Sequence, residues 1–371
     1  MNDWLRWIVW ALRGCVVMAL FHYPIVLIGF ARPKTYIRSL RVRRTINGRD
    51  LIPNGLFAIY AIRPESKDCP FWIADMLRAL QRAAINVCIV SNSDLSPSQI
   101  NFFKEIAYRI IVRDGSGRDF GSYKDAILEL FGRGDVRRLL LLNDSVYVFP
   151  SRIARMLSAL TADSDAVIAT NENIEIHYHL QSFAISIPKV VLDDPRFRFF
   201  WKRFLPVTDR RYVIRHGEVG LTRRLFKINP EIHILFNVTT LEERIKALGP
   251  ILWCDSRALP VRHRDVFLTG ARSGTEFNSS PNQIAAAICA GIVRSSQAHS
   301  GAFYFLAYLD GAILKRDIVF RREFRLNEVP ALLKSLGALE RSEEILQDLR
   351  RRSDRTALNF IQKQKYDYGL L

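Results

Sequence analysis

Four short, largely apolar runs punctuate the first half of the chain, the last of them unbroken: Leu56–Ile62 (LFAIYAI), Asn86–Ser91 (NVCIVS), Tyr108–Arg113 (YRIIVR) and Leu139–Leu142. Each has the length and continuity of a strand covered on both faces. Between them, Pro70–Ala84, the stretch after the polar turn NSDLSPS through Phe103, and Tyr123–Phe131 space their apolar residues as helices do. The alternation predicts α/β architecture: a Rossmann-like, mostly parallel sheet with right-handed crossovers, flanked by helices. A helix over Ile153–Leu160, a strand over Asp165–Thr170 and a half-buried strand over His179–Ile187 extend it. Later helices are expected over Leu241–Leu248, from Asn282, over Ala302–Leu314 and after Ser342, so the sheet carries additional C-terminal helices.

The pattern places chemistry at one edge of that sheet. Leu139–Leu142 runs straight into Asn143, Asp144 and Ser145, at the carboxyl end of a strand, where open α/β sheets bind ligands. A polar triplet after a strand is also what a simple turn looks like. The preceding turn adds weight to the first interpretation. Gly115, Gly117 and Gly121 permit a tight turn and close approach of a ligand to the backbone, and Arg118 and Asp119 stand among them. An arginine and a carboxylate on adjacent loops suit a nucleotide diphosphate, guanidinium on phosphate and carboxylate on metal or ribose.

Trp4–Ala31 is the most apolar region and contains an uncharged run, Gly14–Ala31, just long enough for a transmembrane candidate. Gly29 and Ala31 imitate a signal-peptide cleavage site, but Arg32, Lys34, Arg38, Arg41, Arg43, Arg44 and Arg49 follow at once and oppose export of this flank. Attachment to an anionic membrane surface from the cytoplasmic side is the expectation, by a span or an interfacial helix with Trp4, Trp7 and Trp10 at headgroup level. A buried core helix is the alternative. The division expected is a membrane-associating segment over 1–50, the main domain over 51–325 and a helical extension over 326–371.

The net charge of +17 points to anionic partners: nucleic acid, acidic lipid or phosphorylated substrates. Nucleic acid is the weaker choice, because the basic residues are scattered as pairs and no nucleic-acid motif accompanies them. Arg196–Phe204 interleaves aromatic and cationic residues, a pattern that packing of a helix explains on its own. Five cysteines (Cys15, Cys69, Cys88, Cys254 and Cys289), an odd number with no C-x-x-C, read as reduced thiols. Glu218 lies between two glycines at the head of the helix-like GEVGLTRRLFK, which suits a general base or a carboxylate stabilised by the helix dipole.

The blocks GRDFGSYK (Gly117–Lys124), NDSVY (Asn143–Tyr147), HLQSF (His179–Phe183), RFFW (Arg198–Trp201), GEVGLT (Gly217–Thr222), FNSSPN (Phe277–Asn282) and ILKRD (Ile313–Asp317) resemble, in order, those of the rhamnan synthesis protein F family. The resemblance implies a GT-A-like glycosyltransferase of cell-surface polysaccharide synthesis (O-antigen, capsule or rhamnan), working with inversion at the cytoplasmic face of the bacterial inner membrane. It implies a nucleotide-sugar donor, dTDP-L-rhamnose first among them, and a lipid-linked glycan acceptor. On that basis Glu218 is the candidate general base. Asp144 is a catalytic carboxylate and ligand of a divalent cation (Mg²⁺ or Mn²⁺). Arg118, Asp119, Tyr123, Lys124, Asn143 and Ser145 are assigned to the donor, and His179 and Gln181 to the acceptor side. The triplet has one carboxylate in place of Asp-x-Asp, so a base-assisted mechanism without metal stands beside the metal-dependent one. The other function classes weighed are a nucleic-acid-binding protein and a catalytically silent scaffold of a polysaccharide-assembly complex.

Overall fold

The computed structural model describes residues 3–174, 177–248, 256–261, 264, 281–353 and 358–367. Its strands, in chain order, are β1 (Val42–Asn47), β2 (Leu56–Ile62), β3 (Asn86–Ser91), β4 (Ala107–Arg113), β5 (Arg138–Asn143), β6 (Val146–Val148), β7 (Val167–Ala169), β8 (Glu172–Asn173), β9 (His179–Leu180), β10 (Ala184–Pro188), β11 (Ile232–Ile234) and β12 (Ile313–Lys315). Eight of them form one sheet in the order β1-β4-β3-β2-β5-β10-β7-β11. The four apolar runs read from the sequence are its parallel centre: β4, β3, β2 and β5 pair in parallel. Their carboxyl ends therefore share one edge. β10 pairs antiparallel with β5, so Ser182 and Phe183, just before it, arrive at that same edge.

The period of two along each strand explains why these runs are apolar on both faces through their middles. Leu140 and Leu142 point into a core with Tyr60, Trp72 and Tyr147, whereas Leu139 and Leu141 point into a second core with Phe120, Tyr123 and Trp201. Helices cover both faces. After α1 (Asp3–Val17) and α2 (Tyr23–Ala31) come α3 (Phe71–Arg82), α4 (Pro97–Ile106) and α5 (Arg118–Leu130). The polar turn before α4 is a capping box: Ser96 accepts from the Gln99 N–H, and the Gln99 side chain accepts from the Ser96 N–H.

Four expectations shift. Val42–Asn47, within the 1–50 segment, is the edge strand of the main sheet. The strand expected over His179–Ile187 breaks into β9 and β10 around Gln181–Phe183. The helix over Ala302–Leu314 stops at Tyr308, because Asp310 takes a left-handed φ of 51° and Gly311 packs directly on the Phe305 backbone. The chain then resumes as β12, paired antiparallel with β6. Finally, Leu332, Leu333, Ile345 and Leu349 of the 326–371 extension share the core of Tyr60 and Trp72. Cys254 and most of the Phe277–Asn282 block lie outside the described residues; the described cysteines are free thiols.

α1 and α2 are joined by a π-helical turn over Met18–His22, and Ala11–Ala31 is long and apolar enough to cross a membrane. Leu12, Val16, Leu20, Leu27 and Ile28 are exposed along it. Its carboxyl end docks on the domain: Val26 and Phe30 pack on the second core, and a Cβ on Gly29 would stand 2.7 Å from Val207.

Gly121 anchors the glycine-rich turn from inside α5. A Cβ there would lie 2.0 Å from the Ser116 carbonyl oxygen and 2.8 Å from the Arg113 guanidinium. Gly121→Ala is expected to destabilise the protein by roughly 1–3 kcal/mol through overpacking, read from the urea midpoint at unchanged slope.

Candidate functional site

The site begins where β5 runs out of apolar residues. Asn143, the last residue of β5, donates from Nδ2 to Asp119 Oδ2 at 2.8 Å. Its Oδ1 accepts from the Ser145 N–H (3.1 Å) and hydroxyl (2.6 Å), an Asx-type turn that fixes the triplet. Asp119 reaches this point because α5 starts earlier than its periodicity suggests, with Gly117 at φ 75° and Arg118 at φ 52°. The turn and the triplet therefore do lie side by side.

Glu218 closes the cluster from the other side. It does not open a helix: a π-helical turn, Val213–Glu218, runs without a break into the helix Val219–Ile228. The dipole account of this carboxylate therefore fails, and a π-turn inside a helix is a frequent feature of functional sites. Thr222 ties the turn down, donating to the Glu218 carbonyl and accepting from the Leu180 N–H, each at 3.0 Å. Glu218 Oε1 accepts from the Ser182 hydroxyl at 2.6 Å, and Oε2 stands 3.5 Å from His179 Nε2. His179 Nδ1 faces the His177 carbonyl at 2.8 Å, which places a proton on Nδ1 and leaves Nε2 to meet the Gln181 amide at 3.1 Å. Burial, and next the charge of Glu218, push the Asp119 carboxyl up to about 6, against Arg118 and the Asn143 amide.

That shift has a consequence for stability. Asp119 holds its proton in the folded state at pH values where the unfolded chain, with a carboxyl near 4, has released it. The folded state thus binds more protons between about pH 4 and 6, and stability falls as pH rises through that window. Asp119→Asn is expected to flatten this slope, measured by urea titrations at successive pH values.

The remaining candidates separate. Asp144 turns away from the cluster: its Oδ2 accepts from the Arg63 N–H at 2.9 Å, Arg316 donates to its carbonyl, and burial raises its carboxyl pKa. Arg118 lies exposed at the rim, donating to the Thr208 carbonyl at 3.1 Å. Tyr123 and Lys124 do not face the cleft. Tyr123 is fully buried beneath it with its hydroxyl on the Ser182 carbonyl, and Lys124 donates to the carbonyls of Lys202 and Phe204. Among the described residues no three His, Cys, Asp or Glu side chains group as a metal site, and Asp144 stands as a single carboxylate.

Three residues here were not assigned to the site from the sequence: Ser182, Lys315 and Arg316. Ser182 sits inside the HLQSF block, masked by His179 and Gln181. In sequence Lys315 and Arg316 suit cations facing phosphates or lipid, with a solvated helix end as the default; in the structure Lys315, at the end of β12, donates from Nζ to Ser145 Oγ at 2.9 Å, and Arg316 lies 3.5 Å over the Trp72 ring. Only the strand register, invisible without β6 as partner, reveals this.

The family model of rhamnan synthesis protein F matches residues 87–269. The resemblance carried by the motif blocks is to this family. Five of the seven blocks, GRDFGSYK through GEVGLT, fall inside the match, which spans β3 through Glu218 and the helix after it. Uncharacterized protein y4gN of Sinorhizobium fredii is 33% identical over 153 residues, 40% of this chain; the chain spans 40% of that relative's length. A crystal structure assigned as a nucleotide-diphospho-sugar transferase of Desulfovibrio desulfuricans is 12% identical, covering 64% of this chain and 97% of its own at a TM-score of 0.30. A mannosyltransferase of Pyrobaculum calidifontis, in complex with GDP-Man and Mn²⁺, is 11% identical, covering 93% of this chain and all of its own at a TM-score of 0.27. Both scores are too low to establish a shared fold.

Proposed function

We propose that the protein is a GT-A-like glycosyltransferase that takes sugar from a nucleotide-sugar donor, with dTDP-L-rhamnose as donor and inversion at the transferred carbon. The observation that carries this reading is the meeting, at the carboxyl edge of the sheet, of Asp119, Asn143 and Ser145 with Glu218. One side is a turn with backbone and the Arg118 guanidinium for a nucleotide diphosphate. The other is a carboxylate held by Ser182 and facing His179. In this reading the acceptor hydroxyl gives its proton to Glu218 while its oxygen bonds to the sugar, and the sugar–phosphate bond breaks toward the diphosphate. The family match supports the class and, through rhamnan synthesis, the sugar.

A lipid-linked acceptor and work at the cytoplasmic face of the inner membrane belong to the same proposal. The apolar Ala11–Ala31 stretch supports them. A groove between Ile25, Ile28, Arg32 and Lys34 on one side and Ser116 and Pro206–Thr208 on the other leads from that helix toward the Arg118 rim.

The test is a thermal-shift and calorimetric panel of nucleotide sugars on the full chain, with EDTA and with Mg²⁺ or Mn²⁺. A ligand that binds only the folded state raises the midpoint by mass action. Stabilisation by dTDP-L-rhamnose, lost in Asp119→Ala, supports the reading. Stabilisation by another sugar nucleotide changes the sugar. Binding of nucleic acid alone, with steep salt dependence, overturns the class.

A further inference from the structure

β12 delivers one cation to the site and holds it from both sides. Lys315 is half-buried, its amine 2.9 Å from Ser145 Oγ and 4.5 Å from the centre of the Phe183 ring. Among the described residues it forms no ion pair. Burial lowers its basicity, opposed first by Asp317 and then by Glu218 and Asp119, none of which it contacts. Its neighbours are locked. Arg316 donates from Nε (3.1 Å) and Nη2 (2.9 Å) to Asp348 and lies flat over Trp72. Asp317 accepts from His299 Nε2 at 2.7 Å and from Arg321 Nε at 2.6 Å, and His299 Nδ1 meets the Ser296 hydroxyl at 2.8 Å.

A half-buried ammonium whose contacts are a hydroxyl and a π-face has no carboxylate in direct contact among the described residues, and a rigid strand holds it ready for an anion. The only carboxylate of the Asn143–Ser145 triplet meanwhile points elsewhere, onto the Arg63 N–H. We propose that Lys315 is the fixed counter-charge for the diphosphate of the nucleotide ligand, in the place that a carboxylate-held divalent cation would otherwise fill. The nucleotide part of this rests on the transferase reading. When the sugar–phosphate bond breaks, its electron pair stays on the diphosphate oxygen, and the Lys315 ammonium stabilises that charge without moving a proton. Ser145 aims the amine through its hydroxyl.

The experiment is calorimetric titration of inorganic pyrophosphate and of dTDP into the full, detergent-solubilised chain in EDTA, for wild type, Lys315→Met and Lys315→Arg. Wild type is expected to bind both without divalent cation. Lys315→Met should weaken both about 10- to 100-fold, the range of a hydrogen bond to a charged group, with Lys315→Arg restoring part of the loss. Unchanged affinities in Lys315→Met, or wild-type binding that appears only with Mg²⁺ or Mn²⁺, overturn the proposal. Lys315-dependent pyrophosphate binding without turnover of any sugar nucleotide leaves the counter-charge standing and removes the transferase reading. Transfer with Lys315-independent binding does the reverse. Should Lys315→Met fail to fold, acetylation of the wild-type amine, read by peptide mass spectrometry, decides. Protection of Lys315 by pyrophosphate in EDTA supports the assignment, and undiminished labelling overturns it.

Discussion

Glu218→Gln is expected to lower the transfer rate by about 10²–10⁴-fold, the span typical of a lost general base, while nucleotide binding changes little. The amide keeps the size of the side chain and can still accept from the Ser182 hydroxyl, so the π-turn and the Thr222 tether remain in place. What it loses is the ability to take a proton from an acceptor hydroxyl. His179 cannot replace it. Its Nδ1 proton is committed to the His177 carbonyl, and Nε2 meets the Gln181 amide. Single-turnover transfer measured beside donor calorimetry separates the two quantities: a fall in the chemical step at constant donor affinity is the expected pattern. A second readout does not depend on turnover. Burial is the main cause of the raised Asp119 carboxyl and the Glu218 charge the next, so removing that charge should lower the Asp119 pKa in a carboxyl-resolved NMR titration. Equal loss of donor affinity and rate would instead place Glu218 in the donor site.

The parallel centre of the sheet was legible in the sequence because a strand covered on both faces has to be apolar at every position. Leu139–Leu142 and Leu56–Ile62 leave little else to conclude. The donor-side turn was legible for a related reason: Gly115 and Gly117 take left-handed φ, Gly121 has no room for a Cβ, and Asp119 then falls beside Asn143. Side-chain direction within α5 was not. Tyr123 and Lys124 share a block with Arg118 and Asp119, but Tyr123, one turn after Asp119 on the same side of α5, lies buried beneath the cluster, and Lys124 rotates onto another face. Glu218 was found for its neighbouring glycines and its block, yet its local structure was misjudged. Gly217 suggested a helix start, whereas the structure uses it for close packing: a Cβ there would stand 2.7 Å from the Phe120 ring. Lys315 shows the sharpest limit. Whether it meets water or Ser145 depends on pairing with β6, far away in sequence, and no local pattern encodes that partner.

Asp125→Ala is expected to destabilise the protein by roughly 3–5 kcal/mol, the loss associated with removing one partner of a buried ion pair. The carboxylate is fully buried between two arginines that are themselves buried. Arg41 Nη2 donates to Oδ1 at 2.6 Å, and Arg113 Nε donates to Oδ2 at 2.9 Å. Without Asp125 two guanidinium charges would face each other with no anion between them, and burial already disfavours the charged form of Arg113. Lys34→Met, which ends the more exposed pair with Asp114, is expected to change stability by less than about 1 kcal/mol. Equilibrium denaturation of the two variants in parallel tests whether burial sets the difference; equal losses would refute that account. The same triangle reaches the site. Arg113 also donates to Asn92 Oδ1 at 2.7 Å and to the Ser116 carbonyl at 2.6 Å, which pins the turn carrying Arg118 and Asp119. Asp125→Ala should therefore weaken donor affinity even at temperatures where the chain stays folded. Asp125 lies too deep to touch a ligand, so that effect would have to travel through the turn.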